Sequence, residues 1–87
     1  MKNINTDAID EAVLALLFLT LDNNQRAWKG FDWAVLNRLH ERGLIADPVN
    51  KTKSVWLTDE GVDESKRLFA KLFCHPDDDA PDHPQKP

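Results

Sequence analysis

The sequence has few of the residues on which many activities depend. Its single cysteine, Cys74, cannot form a disulfide within the chain, and its three glycines form no phosphate-binding loop. Its main apolar run, residues 12–21, is shorter than the roughly 20 residues that span a bilayer. Acidic residues precede this run, where an export signal carries positive charge. We therefore expect a protein of the reducing cytoplasm without a membrane segment.

Basic residues are also in the minority. The chain has 11 Lys and Arg against 15 Asp and Glu, a net charge of −4 in 87 residues, which is the length of one domain. Residues 75–87 contain four aspartates, one lysine and a single hydrophobic residue, Ala80. A segment of this composition has nothing to bury. We predict one domain over residues 1–74 and a disordered acidic tail over residues 75–87.

Apolar residues repeat with a helical period over residues 7–21, and Thr6 or Asp7 is the expected N-cap. The predicted inward stripe contains Ile9, Ala12, Val13, Leu16 and Leu17. A second stripe contains Leu14, Phe18 and Leu21. The helix is thus apolar on most of its circumference. Two interpretations are open: a helix buried within one subunit, or a homodimer interface formed by the second stripe. We predict the homodimer.

Local signals mark a turn and three further elements. Residues 22–31 are predicted to hold a turn, with Gly30 as its punctuation. Asp32 is the expected N-cap of a helix over residues 32–42, with Gly43 in the left-handed position after it. Residues 44–47 and 53–57 are short strand candidates around a turn, which predicts a β-hairpin. Thr58, after the second strand candidate, is the expected N-cap of a last helix of about 16 residues. The predicted fold class is α+β and mainly helical.

The order helix, helix, hairpin, helix carries motifs of a known architecture. The segments Leu39-His-Glu-Arg-Gly-Leu-Ile45 and Leu57-Thr-Asp-Glu-Gly61 resemble those that enter and leave the wing of winged-helix proteins. The stretch Trp28-Lys-Gly-Phe-Asp-Trp33, with Leu36-x-x-Leu-His40, resembles a bacterial family of small proteins known only as a domain of unknown function. The first resemblance implies a winged-helix-like domain with a two-stranded wing that binds DNA in a regulatory role. The second implies no activity.

Double-stranded DNA is the first predicted partner. On the winged-helix plan the helix over residues 32–42 reads base edges while nearby basic side chains contact phosphates. The candidate residues are Arg26, Lys29, Asn37, Arg38, Arg42, Lys51 and Lys53. Residues 22–56 carry six basic and four acidic side chains, a net charge of only +2. A solvated helix face of mixed charge is equally consistent with this pattern.

A protein partner is the second prediction. The chain has three tryptophans and no tyrosine. Val55 and Leu57 alternate with Trp56 along the second strand candidate, which predicts that Trp56 is exposed, and tryptophan is enriched at interface hot spots. Trp28 and Trp33 are predicted to fill the small core. The alternative function is a protein-interaction module that binds no nucleic acid.

The residues that could carry catalysis or bind a metal are poorly placed. Cys74 and His75 are neighbours, but no third residue orients the imidazole, and His40 lies on the apolar side of its helix. The possible ligands His75, Asp77, Asp79 and His83 have the spacing of neither a calcium loop nor a zinc site. We predict no enzyme activity, no metal, no cofactor and no small-molecule substrate.

Overall fold

The structure describes residues 3–49 and 52–75, which contain three helices and two short strands. The structure is a computed structural model. The elements in chain order are α1 (Thr6–Leu17), a 3₁₀ turn (Phe18–Thr20), β1 (Arg26–Trp28), α2 (Trp33–Glu41), β2 (Ser54–Trp56) and α3 (Asp59–Phe73). The predicted α+β, mainly helical class is confirmed. Lys51 and the predicted tail beyond His75 lie outside the described residues.

The first helix is shorter than its apolar pattern predicts. Asn5 caps α1, since its side-chain oxygen accepts the Ala8 N–H at 3.0 Å, so the predicted cap at Thr6 or Asp7 is wrong. The helix ends at Leu17 instead of residue 21, and the 3₁₀ turn follows it. Apolar residues continue past the helix end, and for this reason the pattern alone overestimates its length.

The inward face of α1 is also displaced from the predicted stripe. Its buried residues are Asp10, Leu14, Ala15 and Leu17, whereas Ile9 is exposed. Asp10 is buried on the same side of α1 as these core residues, and its carboxylate is paired there with Arg38 of α2. Leu14 is only 1% exposed and belongs to the core of the single chain.

The second helix follows its local signals. Asp32 caps α2 by accepting the Ala34 N–H at 3.1 Å, and Gly43 after the helix has a left-handed φ of 77°. Thr58 caps α3 in the same manner, accepting the Gly61 N–H at 3.0 Å. Both predicted caps and the predicted glycine stop are confirmed.

The sheet differs from the predicted hairpin in its pairing. Strand β2 lies within the predicted strand 53–57, but its partner is β1, which the sequence places in a turn. The pairing is antiparallel, with Ala27 opposite Val55, and both of these side chains are buried. Residues 44–47 contribute a single bridge, Ile45 to Leu57. The bridge joins residues 44–47 to the end of β2, as the predicted hairpin requires. The strand that pairs with β2 along its length is β1, which precedes α2.

The core lies between the inner side of this sheet and the three helices. Its buried apolar residues are Leu14, Ala15, Leu17, Ala27, Val35, Leu36, Leu39, Leu44, Ile45, Val55, Leu57 and Leu68. On the other side of the sheet Trp28 and Trp56 are exposed, while Arg26 and Ser54 are half-buried.

Candidate binding surfaces

All three tryptophans are exposed. The exposed fraction is 56% for Trp28, 52% for Trp33 and 56% for Trp56. The prediction that Trp56 points outward is confirmed, and the prediction that Trp28 and Trp33 fill the core is wrong. Ala27 is the inward residue of β1, so the alternation of a strand turns Trp28 outward. Trp33 is the first residue of α2 and precedes the buried positions of that helix.

The outer sheet face consists of Arg26, Trp28, Ser54 and Trp56. The register sets Arg26 opposite Trp56 and Trp28 opposite Ser54, so the two indoles are diagonal neighbours on one face. The Arg26 guanidinium lies 5.8 Å from the centroid of the Trp56 ring, a cation–π distance. Its Nε and Nη2 also donate to the Ser54 hydroxyl at 3.3 and 3.2 Å. These contacts hold the Arg26 guanidinium against the Trp56 ring, on the same face as Trp28.

The Trp28 ring is further fixed by Gly30. A Cβ atom at residue 30 would lie 2.9 Å from Cη2 of the Trp28 ring and 3.0 Å from Cζ3, closer than real Cβ atoms approach. The indole therefore rests directly on the Gly30 backbone. Gly30, predicted as turn punctuation, sets the position of an exposed tryptophan.

The free edge of β1 is occupied by side chains of the preceding turn. The Trp28 N–H donates to Thr20 Oγ1 at 2.9 Å, and the Arg26 N–H donates to Asp22 Oδ1 at 3.0 Å. The N–H groups of Arg26 and Asn24 stabilise the charged carboxylate and lower the pKa of Asp22. A partner strand cannot pair with this edge without displacing these bonds, so the sheet offers its face rather than its edge.

The predicted base-reading arginine is engaged inside the protein. Arg38 Nε and Nη2 donate to Oδ2 and Oδ1 of Asp10, both at 2.7 Å, and Asp10 is only 2% exposed. These hydrogen bonds to Asp10 raise the pKa of Arg38 above its usual value. A fork of two short charge-assisted bonds to a buried carboxylate leaves this guanidinium committed to α1.

The surroundings of Arg38 form an acidic cleft of about 390 Å³. Its lining consists of Asp7, Asp10, Glu11, Arg38, Glu41 and Arg42. Four carboxylates and two guanidinium groups give it a net negative charge. Arg42, a second predicted DNA contact, lies in this cleft, and Asn37 is exposed on α2. This cleft would repel a phosphate backbone.

The other predicted phosphate contacts lie elsewhere. Arg26 belongs to the outer sheet face, and Lys53 is exposed immediately before β2. The Lys29 ammonium donates to the Pro48 carbonyl at 2.7 Å and lies 6.0 Å from the Trp33 ring centroid. The described members of the predicted set therefore divide between α2 and the surroundings of the sheet and do not form one basic stripe, while Lys51 lies outside the described residues.

The predicted homodimer residues also separate. Leu14 is buried in the core and offers no surface to a second copy, whereas Leu21 is partly buried against that core. Phe18 is half-buried, and its ring lies 5.2 Å from Phe69, which lies 5.7 Å from Phe73. These three rings form a phenylalanine cluster. Phe69 and Phe73 belong to α3, so the helical period of α1 could not indicate that these two rings lie beside Phe18.

No described group of three or more His, Cys, Asp or Glu side chains has the arrangement of a metal site. Asp77, Asp79 and His83, the side chains considered and rejected as metal ligands from their spacing, lie outside the described residues. His40 has a structural partner, since its Nδ1 lies 3.1 Å from the Ile45 carbonyl oxygen. Among residues 3–49 and 52–75, none of the helices combines the length and apolarity required to cross a membrane.

Comparison with known proteins assigns the chain to a family. Residues 5–75 match the family described as "Domain of unknown function (DUF6429)". The chain belongs to the DUF6429 family. A relative from Sinorhizobium fredii, named "Uncharacterized protein y4hR", is 67% identical over 70 residues, which are 80% of this chain and 95% of the relative. No solved structure matches the chain. The resemblance to a domain of unknown function is confirmed, and the DUF6429 match contains both the outer sheet face and the acidic cleft.

Proposed function

We propose that this DUF6429 chain is a non-enzymatic protein-binding module whose partner docks on the outer sheet face. The observation that carries the proposal is the exposure of two indoles, Trp28 and Trp56, on one face of the sheet, with Arg26 against the Trp56 ring. Tryptophan and arginine are the residue types most enriched among interface hot spots. An indole gives a large contact area at little cost in conformational entropy, because it has only two rotatable bonds.

The chemistry of the face defines the partner further. Arg26 sits beside Trp56, and Lys53 is exposed at the start of β2. A matching surface presents apolar side chains to the indoles and a carboxylate to the guanidinium. The closed edge of β1 favours docking on side chains over addition of a strand.

Duplex DNA, with a regulatory role, is the alternative that the winged-helix resemblance implies. The structure supports it less than a protein partner. Arg38 is bound to Asp10 and Arg42 lies among carboxylates, so α2 has little positive charge to present to phosphates. The net charge of −4 further weakens non-specific attraction to DNA.

Site-specific photo-crosslinking in the native cell tests the proposal. A photoreactive amino acid is placed at Trp56 in one variant and at Asn37, exposed on α2, in the matched control. We expect protein adducts from position 56 and few from position 37. Adducts to nucleic acid, or protein adducts only from position 37, would overturn the proposal and favour α2 as the binding element.

The phenylalanine cluster supports self-association as a second proposal. Phe73 is exposed, as are Leu72 beside it in the chain and Leu19 next to Phe18. We expect sedimentation analysis to detect a dimer that Phe73→Ser weakens. Val49→Ser, which removes an even more exposed apolar side chain outside the phenylalanine cluster, serves as the control. A chain that remains monomeric at high concentration contradicts this proposal.

A further inference from the structure

The outer sheet face has a composition that fits a particular kind of peptide. Trp28 and Trp56 present flat apolar rings, and Arg26 places a guanidinium beside them. Grooves lined by aromatic side chains bind proline-rich segments, because a proline ring packs on an indole and the extended backbone loses little entropy. Guanidinium groups bind carboxylates in the same contact. The best match is an extended segment rich in proline and aspartate.

The chain itself carries such a segment. Residues 76–87 hold four of its five prolines and four aspartates, with one lysine. The prolines are Pro76, Pro81, Pro84 and Pro87, and the aspartates are Asp77, Asp78, Asp79 and Asp82. This composition is complementary to the outer sheet face both in ring packing and in charge. The segment lies outside the residues 5–75 that match the family.

A short series of contacts connects the end of α3 with the outer sheet face. Phe73 at the end of α3 contacts Phe69, and Phe69 contacts Phe18 of the 3₁₀ turn. Thr20 of the same turn accepts the Trp28 N–H at 2.9 Å. Twelve residues can extend over about 40 Å. The segment is therefore long enough to cross from α3 to both indoles.

We propose that residues 76–87 bind the outer sheet face of the same molecule and compete there with the partner protein. This inference rests on the proposed function, since the face it occupies is the proposed docking site. A tethered segment experiences an effective concentration in the millimolar range. Contacts too weak to be detected between separate molecules suffice within one chain. The segment would then raise the concentration of partner protein that is needed to occupy the outer sheet face.

Tryptophan fluorescence tests the proposal on the full-length chain. Trp33→Phe leaves Trp28 and Trp56 as the emitters, and acrylamide quenching reports their accessibility. A second variant also carries D77N, D78N, D79N and D82N, which keeps the length and prolines and removes the charge. At low salt we expect quenching to be about twofold stronger in the neutralised variant, a difference that disappears near 1 M salt as the charges are screened.

Two controls distinguish binding within one molecule from a general effect of charge and from binding between molecules. Neutralising Asp63 and Glu60 on the outside of α3 should leave quenching unchanged. The protection should also be independent of protein concentration. Equal quenching of the two chains at low salt would overturn the proposal, and protection that grows with concentration would replace it by binding between copies.

The outcomes also separate this inference from the proposed function. If quenching is equal while position 56 still crosslinks to a protein, only the role of residues 76–87 fails. If the segment protects the indoles but partner adducts form only from position 37, the docking site fails and the intramolecular contact stands.

Discussion

Two arginines in this small domain show how one residue type serves opposite purposes. Arg38 points into the acidic cleft, where both of its bonds go to a buried carboxylate on another helix. Arg26 lies on the outer sheet face, where it borders a hydroxyl and an exposed indole. The first cation joins α1 to α2. The second shapes a surface that remains open to a partner.

A basic residue in a recognition-helix position is therefore not by itself a DNA contact. Arg38 has the sequence position expected of a base-reading side chain, yet Asp10, 28 residues earlier, holds it. Arg26 lies where the sequence predicts a turn, and there the structure has the strand β1 instead. The partner of each guanidinium decides its role.

The largest effect is expected when the internal arginine is removed. Arg38→Met leaves the Asp10 carboxylate buried without its partner, one of the most costly defects in a protein interior. We expect the melting temperature to fall by about 10 °C or more, measured by circular dichroism. Arg42→Met, in the same cleft, is the control and should change it by no more than about 2 °C.

A double variant sharpens this result. Asp10→Leu combined with Arg38→Met removes both charges, and replacing a buried ion pair by apolar groups is often neutral. Most of the lost stability should return. Equal melting temperatures for the wild type and Arg38→Met would contradict the interpretation that Arg38 acts inside the fold.

The next effect concerns the surface arginine. Arg26→Met removes the charge beside Trp56 and keeps an apolar stem over the ring. We expect several-fold weaker partner binding, measured by titration calorimetry, with only a small change in melting temperature, because a partly exposed cation–π contact is worth about 0.5–1 kcal/mol. A large loss of stability with unchanged partner binding would contradict the assignment of Arg26 to the binding surface and of Arg38 to the interior.

The elements that can be predicted from the sequence are those set by near neighbours. Asp32, Gly43 and Thr58 act on residues a few positions away, so their roles as caps and as a helix stop are visible locally. β1 is only three residues long and pairs with a strand 28 residues later. A pattern of period two cannot be recognised over three residues, so the sequence predicts a turn there and places Trp28 in the core.

The same limit applies to the candidate site. The exposure of Trp56 follows from alternation with Val55 and Leu57 within one strand. The burial of Asp10 follows from an ion pair between two helices, which no local rule indicates, and a helical pattern places an aspartate in solvent by default. Features set by neighbours were predictable, and those set by long-range pairing were not.

A smaller effect is expected at Gly30. Gly30→Ala introduces a Cβ against the Trp28 ring, and the exposed indole must move away. Stability should change by less than about 1 kcal/mol, as for most surface substitutions. The indole N–H resonance of Trp28 should shift, while those of Trp33 and Trp56 shift less. An unchanged Trp28 resonance would show that the ring does not pack against residue 30.

The smallest effect concerns Asp22 at the edge of β1. Its folded pKa is lowered by the N–H groups of Arg26 and Asn24. The carboxylate therefore stabilises the fold above its unfolded pKa of about 4, and this contribution is lost as the pH falls through the lower folded value. Asp22→Asn should melt slightly below wild type at pH 7, and the gap should narrow in acid. A gap that is constant with pH would contradict this role.

Partner binding to the outer sheet face, and not to α2, is the proposal on which most of these expectations depend. Its most direct test purifies the protein that crosslinks from position 56 and measures its affinity for the Trp56→Ala and Asn37→Ala variants. We expect a loss of about 30-fold for Trp56→Ala, the size of an interface hot spot, and less than twofold for Asn37→Ala. A loss confined to Asn37→Ala would contradict the proposal.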